Sequence, residues 1–319
     1  MMRKMSSHES RVTSHDLHRA RGVTLIEMIM VIVITGIIAA SVALFIRRSI
    51  EGYVDASRRA QLTDVADTAL RRLTRDVRTA LPNSVRVTAA GGRVYLEYLA
   101  MRTGGRYRSD VTSPATPTGG TTCPDLAPLD GTADENVLQF GVADTCFTSL
   151  STVPDLGQIV TGVGGDYVVI YNLGPGVANA DAYETGAATG GNKSRITGLA
   201  AGAGGENVFT IQANIFAFSS PGRRFQVISG PVSYVCDPGA RTVRRISGYA
   251  VQAAQPNDVA AAPLAAAPQN SLLALNVATC NFVYAAVNQR SGLLELTVEI
   301  SQAGESVRLF QQAHVNNVP

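Results

Sequence analysis

Histidine is scarce in this chain, and the scarcity limits the chemistry available to it. Only four of the 319 residues are histidine, and three of them, His8, His15 and His18, lie within the first 22 residues. A catalytic triad or a multi-histidine metal site in the rest of the chain would depend on His314 alone. The GxSxG pattern of a serine nucleophile is also absent. We therefore expect no enzyme activity, no catalytic residues and no cofactor.

A large excess of positive charge is missing too. The net charge is +2, but the first 22 residues hold five of the 27 basic and two of the 25 acidic residues, so the remainder carries about −1. Without a basic field, nucleic acid is not an expected partner. The arginines from Arg71 to Arg78 share a helix face with Asp64, Asp67 and Asp76, which favours a solvated helix face over a nucleic-acid patch.

One long segment lacks charge altogether. From Met28 to Ile46 no residue is charged, and only Thr35 and Ser41 carry polar side chains. This length suits one crossing of a bilayer. Glu27 lies at the edge of the segment, where burying a carboxylate in lipid would cost roughly 2 to 3 kcal/mol without a neutralising partner. The pattern predicts a membrane helix whose first turn carries a charge that needs a partner.

The residues leading into this segment resemble the processing and assembly signal of type IV pilins and type II secretion pseudopilins. They read Arg21-Gly22-Val23-Thr24-Leu25-Ile26-Glu27-Met28. The resemblance implies that a prepilin peptidase cuts between Gly22 and Val23 and methylates the Val23 amine. It also implies that Glu27 faces the α-amine of a neighbouring subunit, which turns two costly lone charges into a pair. Val23 departs from the family pattern, which most often has Phe there.

A secretory signal peptide is an alternative interpretation. Ser41-Val42-Ala43 would satisfy a small-x-small cleavage box behind basic residues and an apolar region. The length of the apolar run and the helical pattern beyond it argue against that interpretation. A simple membrane anchor is a second alternative, but it would have no use for Glu27.

Together these features predict four parts. Residues 1–22 form a leader, 23–46 a transmembrane and filament-core helix, 47–82 an amphipathic helix, and 83–319 a β-rich domain outside the inner membrane. The basic leader favours a cytoplasmic N-terminus. We therefore expect a single pass through the inner membrane, followed by extraction into an extracellular pilus.

Apolar residues recur at steps of three, one and four within the amphipathic helix, which places them on one face. They are Leu62, Val65, Ala66, Ala69, Leu70, Leu73 and Val77. No proline occurs between Val23 and Leu81, so a nearly continuous helix is expected to run to Leu81. Pro82-Asn83 should end it.

Beyond residue 83, short apolar runs alternate with turn-rich segments, which predicts an antiparallel β domain. The expected strands are 84–88, 93–99, 137–142, 167–172, 207–211, 225–228, 232–236 and 242–249. The clearest element is a closing hairpin, in which Leu294–Ile300 alternates, Ala303-Gly304 turns, and Ser306–Val315 returns. The fold class is α+β and pilin-like, with a long N-terminal helix packed on a C-terminal antiparallel β domain.

Loops are expected near residues 103–122, 174–205 and 250–268, where the sequence is too poor in large apolar residues to pack alone. Asp166, Asp181 and Glu184 lie in or near a Gly- and Asn-rich loop. Their spacing matches no EF-hand, and solvated loop carboxylates are favoured over a calcium site. No metal site is predicted.

The four cysteines are Cys123, Cys146, Cys236 and Cys280. An even number in a domain expected outside the inner membrane suggests disulfides. Their order along the chain suggests Cys123 with Cys146 and Cys236 with Cys280, although the sequence leaves the connectivity open. No CxxC spacing occurs, so zinc is not expected.

Further segments indicate which members of these families the chain resembles. Leu73–Ser84 is similar to the J-type minor pseudopilins of type II secretion, and Val232–Pro238 and Val307–Pro319 are similar to the MshO minor pilins of the mannose-sensitive haemagglutinin (MSHA) pilus. The resemblance implies a minor subunit that initiates or caps pilus assembly. Its partners would be other minor and major pilins, the prepilin peptidase and the inner membrane. The alternatives are a tip adhesin or ligand-binding minor pilin, and a minor pseudopilin of a type II secretion system.

Overall fold

The computed structural model describes residues 22–108, 137–184, 191–201, 205–288 and 290–319. Within these ranges a long helix precedes twelve β-strands, which confirms the α+β class. The chain divides into two compact units, Met1–Ala56 and Ser57–Pro319. The division falls inside the helix, so its first half belongs to one unit and its second half to the other.

The helix α1 spans Leu25–Arg78, which is 54 residues. It ends three residues before the predicted limit at Leu81. Ala80 already forms a β-bridge with Ala100, and the Leu81 N–H donates to the Leu99 carbonyl at 2.8 Å. The helix therefore stops because the chain joins the sheet before it reaches Pro82.

The second half of α1 packs on the β domain through one face. Its buried residues are Leu62, Ala66, Ala69, Leu70, Leu73, Thr74 and Val77. The predicted apolar face is confirmed with one exception, because Val65 is 39% exposed. Thr74 lies between Leu73 and Val77 on this face and is buried with them.

The strands form two antiparallel sheets. Their bounds are β1 Arg86–Ala90, β2 Arg93–Arg106, β3 Ala143–Thr148, β4 Tyr167–Ile170, β5 Lys193–Ala201, β6 Asn207–Ile215, β7 Arg224–Asp237, β8 Thr242–Ser247, β9 Gln269–Leu275, β10 Val277–Asn288, β11 Ser291–Gln302 and β12 Glu305–Asn316. The larger sheet has the order β1-β2-β7-β4-β5-β6-β3, with β8 on β7 and β9 on β8, and the smaller has the order β10-β11-β12.

The predicted closing hairpin is present as β11 and β12. On β11, buried residues alternate with partly exposed ones along the whole strand, as expected for a sheet with one face on the core. Ala303 and Gly304 turn the chain with φ angles of 49° and 86°, the positive pair that a tight hairpin turn requires. β10, which the sequence did not predict, pairs with the other edge of β11.

The main core lies between α1 and the inner faces of both sheets, and a second core surrounds three phenylalanines of the larger sheet. Phe147, Phe209 and Phe225 stack or meet edge-on with ring centroids 5.1–5.2 Å apart. The predicted Cys236–Cys280 disulfide is confirmed. It joins β7 to β10 and thus the two sheets, with Cα atoms 6.4 Å apart.

Two predicted secondary-structure assignments were wrong. Residues 137–142 form no strand, because the Asp144 carboxylate accepts the N–H groups of Gln139 and Cys146, at 2.8 and 3.0 Å, and folds this segment into a turn. Residues 193–201, predicted to be loop, form β5, which pairs with β4 and β6 and buries Ile196.

The other two predicted loops differ in outcome. Residues 103–106 extend β2, and 109–122 lie outside the described residues. Residues 250–268 contain no helix or strand. Val251 and Leu264 are nevertheless buried, so this loop packs on the domain.

Candidate functional site

The predicted processing site lies in exposed chain just before α1. Gly22, Val23 and Thr24 precede the first helical residue, Leu25, and all are exposed. A Cβ atom added at Gly22 would meet nothing within 4 Å. None of the described residues therefore blocks a protease from reaching the Gly22–Val23 peptide bond. Cleavage itself stays a prediction.

Glu27 is the third residue of α1 and lies in its first turn. The Thr24 hydroxyl accepts the Glu27 N–H at 3.3 Å, and the Thr24 carbonyl accepts the Met28 N–H at 3.1 Å. Thr24-Leu25-Ile26-Glu27 thus has the sequence of a capping box with its threonine half formed. The T-x-x-E spacing signals this role, which was not predicted.

The helix start stabilises a carboxylate by about 0.3 to 1 kcal/mol. That is less than the roughly 2 to 3 kcal/mol that a lone carboxylate loses in lipid. Capping therefore explains why Glu27 suits the first turn, but it does not remove the need for a positive partner once the helix is in an apolar environment.

The first half of α1 presents its apolar side chains to the outside. Between Leu25 and Ile46 the large apolar residues are 49% to 80% exposed. Among the described residues α1 is the one helix long and apolar enough to cross a membrane, judged by length and composition. Single exposed apolar residues are ordinary, but a continuous surface of this kind marks an interaction with lipid or protein. The helix suggests membrane anchoring.

The charged end of α1 is less solvated than predicted. Arg71 does pair with Asp67 on the helix surface at 2.6 Å. Asp76, in contrast, faces the sheet, where it accepts the Tyr234 hydroxyl at 2.7 Å and Arg245 Nε at 3.0 Å. Burial, followed by the hydrogen bond to Asp76, raises the pKa of Tyr234, which keeps the phenol a donor. Asp76 therefore attaches the helix end to the domain.

A buried ion pair lies under the residue 250–268 segment, and no sequence pattern indicated it. Glu97 on β2 is fully buried and accepts Arg86 Nε at 2.6 Å and the Tyr249 hydroxyl at 2.8 Å. Burial raises the pKa of Glu97, while Arg86 and Tyr249 act in the opposite direction. Arg86 also donates to the carbonyls of Gln252 and Ala253, at 2.9 and 2.7 Å. The pair thus holds the start of that segment.

Two of the carboxylates considered as calcium ligands stabilise loops by accepting hydrogen bonds from main-chain N–H groups. Asp166 is buried, pairs with Arg102 at 2.7 Å and accepts the Val160 N–H at 2.9 Å. Asp181 is buried and accepts the N–H groups of Gly176 and Tyr183, at 3.0 and 2.8 Å. The expectation that they are solvated was wrong, because their oxygens satisfy loop amides.

Glu184 contributes its main chain, since its carbonyl accepts Lys193 Nζ at 2.9 Å. Within the described ranges, no group of three or more His, Cys, Asp or Glu residues is arranged to hold a metal ion. Cys146 is buried, whereas Cys123 lies outside the described residues. The Cys123–Cys146 bond therefore stays a prediction.

Comparison with known proteins gives one match. A model of the prokaryotic N-terminal methylation motif matches residues 17–43, a range that contains Gly22, Val23, Glu27 and most of the apolar run. The curated proteins and the solved structures gave no match. Together with the exposed apolar half of α1, which the matched range overlaps, the motif supports a type IV pilin-like protein, a structural subunit processed by a prepilin peptidase.

Proposed function

We propose that this chain is a minor pilin-like subunit that initiates or caps assembly of a type IV pilus of the MSHA kind. One observation carries the proposal: Glu27 lies at the edge of the exposed apolar half of α1, shortly after the Gly22–Val23 junction. Cleavage there would place a new α-amine four residues from a carboxylate. Each subunit would then offer one cation and one anion to its neighbours inside an apolar filament core.

The energetics favour pairing between subunits. Either charge alone in the filament core costs several kcal/mol, whereas a matched pair with good geometry recovers most of that cost. Glu27 therefore acts as a registration point, because a subunit docked at another height leaves both charges unpaired. The same pairing would operate in the membrane before extraction.

The proposed role as a minor subunit rests on the resemblance to minor pilins and on where the resembling segments lie in the fold. The segments similar to MshO minor pilins fall on β7 and β12. Both strands contribute to the core that packs on α1, through Val232, Tyr234, Ala313 and Val315. The resemblance thus covers the part of the β domain that is attached to the helix.

The test replaces Glu27 by Leu or Gln and follows processing, membrane insertion and recovery in sheared pili. We expect normal processing and insertion with loss of incorporation, or loss of pili if the subunit primes assembly, because the unpaired amine costs roughly 3 to 5 kcal/mol. Glu51→Leu is the matched control, since Glu51 lies on the same helix in an exposed pair with Arg47 at 2.9 Å. Wild-type incorporation of Glu27→Leu would refute the pairing role.

Deletion of the gene separates the role in assembly from the alternatives. Loss of pili supports initiation, while normal pili with lost adherence would instead identify a tip adhesin. Loss of protein secretion with normal pili would identify a pseudopilin of a type II secretion system. Intact mass of the mature chain reports the cut, and a chain beginning at Leu44 would show that a signal peptidase had acted.

A further inference from the structure

Within the described part of the chain, the strand β12 leaves one of its edges open. Its twelve residues pair with β11 in continuous register from Ser291↔Asn316 to Gln302↔Glu305, without a bulge. Across the described ranges, no strand pairs with the other edge and residues 305–316 make no backbone hydrogen bond outside their sheet. Proteins usually protect a long edge with a bulge, a proline or an inward charge. Apart from Glu305 at its start, which pairs with Arg59, β12 has none of these.

At this edge of the smaller sheet, the inward apolar side chains are only partly covered. On β11 the inward residues Val298 and Ile300 are buried, with 2% and 0% exposure. Their register partners on β12, Leu309 and Val307, are only partly buried. The core over α1 therefore ends on side chains that remain half covered, and one more strand would bury them.

The outer face of the same edge offers two further contacts. Phe310 is 59% exposed, opposite Thr297. Arg308 lies opposite Glu299, but Glu299 accepts the Thr279 hydroxyl at 3.2 Å, and the described residues supply no ion-pair partner for Arg308. A strand beside β12 could place an apolar side chain against Phe310 and a carboxylate against Arg308.

The β12 strand of a second copy does not fit the open edge. Two β12 strands joined edge to edge would be antiparallel and related by a two-fold axis perpendicular to the sheet. That axis reverses every direction in the sheet plane, including that of the α1 segment packed on it. Subunits anchored in one membrane or one filament keep a common orientation, so two β12 strands cannot pair in this way.

We propose that β12 accepts an extended segment of another filament subunit as the fourth strand of the small sheet. The segment alternates apolar residues, which cover Val307 and Leu309, with outward residues that include a carboxylate facing Arg308. Main-chain hydrogen bonds would supply affinity and the alternating side chains specificity, as in other strand-addition complexes. The identity of the partner as a filament subunit rests on the proposed function.

Hydrogen exchange tests the backbone pairing directly. In detergent-solubilised protein, the amides of β12 that point away from β11 should exchange rapidly, because they are open to water. In assembled pili, alternate amides between Val307 and Ala313 should exchange at least about tenfold more slowly. Equal exchange in pili and in solubilised protein would overturn strand addition, whatever side-chain contacts form.

A photo-crosslinking residue at position 310 identifies the occupant. We expect adducts with a heterologous subunit, joined through an extended segment of alternating pattern. Position 218 is the matched control, because Phe218 is also an exposed phenylalanine, at 46%, and lies between β6 and β7. Adducts between two copies of this chain, or adducts no more frequent at 310 than at 218, would overturn the proposal.

Variants complete the test. Phe310→Glu and Arg308→Glu should each lower recovery of the crosslinked or copurified partner severalfold, while Phe218→Glu does not. Both targets are exposed, so an unchanged melting temperature of the solubilised protein confirms folding. Absence of the chain from pili would refute the proposed function alone, since adducts at position 310 in membranes would still decide whether a strand is added.

Discussion

Each of the two units of this chain is stabilised internally by a different kind of hydrogen bond. In residues 22–56 the described side-chain hydrogen bonds join neighbours along the helix: Thr24 to Glu27, Ser41 to the Ile37 carbonyl, and Arg47 to Glu51. In residues 57–319 many of them join distant parts of the chain. The described part of the first unit carries a helical pattern without a core of its own, whereas the second unit is defined by contacts that only the complete fold creates.

The environment explains why such a helix forms. The run from Ile29 to Ile34 is rich in Ile and Val, residues that are weak helix formers in water because branching at Cβ restricts their side chains. In lipid or in an apolar filament core, every backbone N–H and C=O must be paired within the segment. The helical state is therefore set by the surroundings, while the β domain must supply its own partners.

The largest expected effect breaks a long-range contact of the second unit. Arg86→Met leaves Glu97 buried without its cation, and removing one member of a buried pair costs about 3 to 5 kcal/mol. We expect a lower midpoint in chemical denaturation at pH 7 and faster proteolysis between residues 250 and 268, because Arg86 also binds the carbonyls of Gln252 and Ala253.

The pH dependence of this variant has a defined sign. Burial raises the pKa of Glu97 above its unfolded value, so the folded protein binds this proton more readily, and stability falls as pH rises across that window. Removing Arg86 takes away an interaction that lowers the pKa, so the Arg86→Met defect should shrink in acid. Arg86→Met with Glu97→Leu should recover part of the loss at pH 7, and a double variant less stable than Arg86→Met would contradict this account.

A pair of truncations on one helix compares the two units directly. Leu73→Ala removes a side chain that is 1% exposed in the main core, and such changes cost about 2 to 5 kcal/mol. Ile34→Ala truncates a side chain that is 51% exposed in the first unit. In detergent it should leave unfolding of the β domain within about 0.5 kcal/mol of wild type. Equal losses from the two variants would mean that the units do not unfold separately.

Features that repeat along the sequence could be predicted, and features that depend on the fold could not. The buried face of α1 and the β11–β12 hairpin follow from periods of 3.6 and 2 residues. β5 was missed because Gly198 and a turn-rich tract conceal a strand whose partners are β4 and β6. Glu97 gave no signal, since its burial depends on Arg86 and on Tyr249, which lies 152 residues away.

The residues of the candidate site also divide into those that the sequence could predict and those that depend on the fold. Gly22, Val23 and Glu27 form a local motif, so they could be predicted from the sequence alone, and Thr24 could have been added from its spacing to Glu27. Asp76 could not be distinguished from Asp67 by sequence, because both lie on the charged side of one helix. Only the position of Tyr234 and Arg245 makes Asp76 a contact between helix and sheet.

The smallest expected effect compares a long-range ion pair with a local one. Arg93 Nε contacts the Asp237 carboxylate at 2.5 Å across 144 residues of chain, whereas Arg71 and Asp67 are separated by one helical turn. Burial alone would raise the pKa of Asp237, but the hydrogen bond from Arg93 and the N–H of Ala240 outweigh it, and the pKa is lowered. Its stabilisation is therefore present above the unfolded pKa and is lost as pH falls through the folded one.

Arg93→Gln should lower the denaturation midpoint at pH 7 by less than Leu73→Ala does, because the pair is partly exposed and screened by solvent. The difference from wild type should disappear as the pH falls below the folded pKa of Asp237, where the carboxyl is protonated in both states. Arg71→Gln is the control and should change the midpoint less, since its partner already lies beside it in the helix and little chain order depends on the pair. A difference for Arg93→Gln that stays constant from neutral to acid would show that the guanidinium acts through packing and that Asp237 contributes no charge interaction.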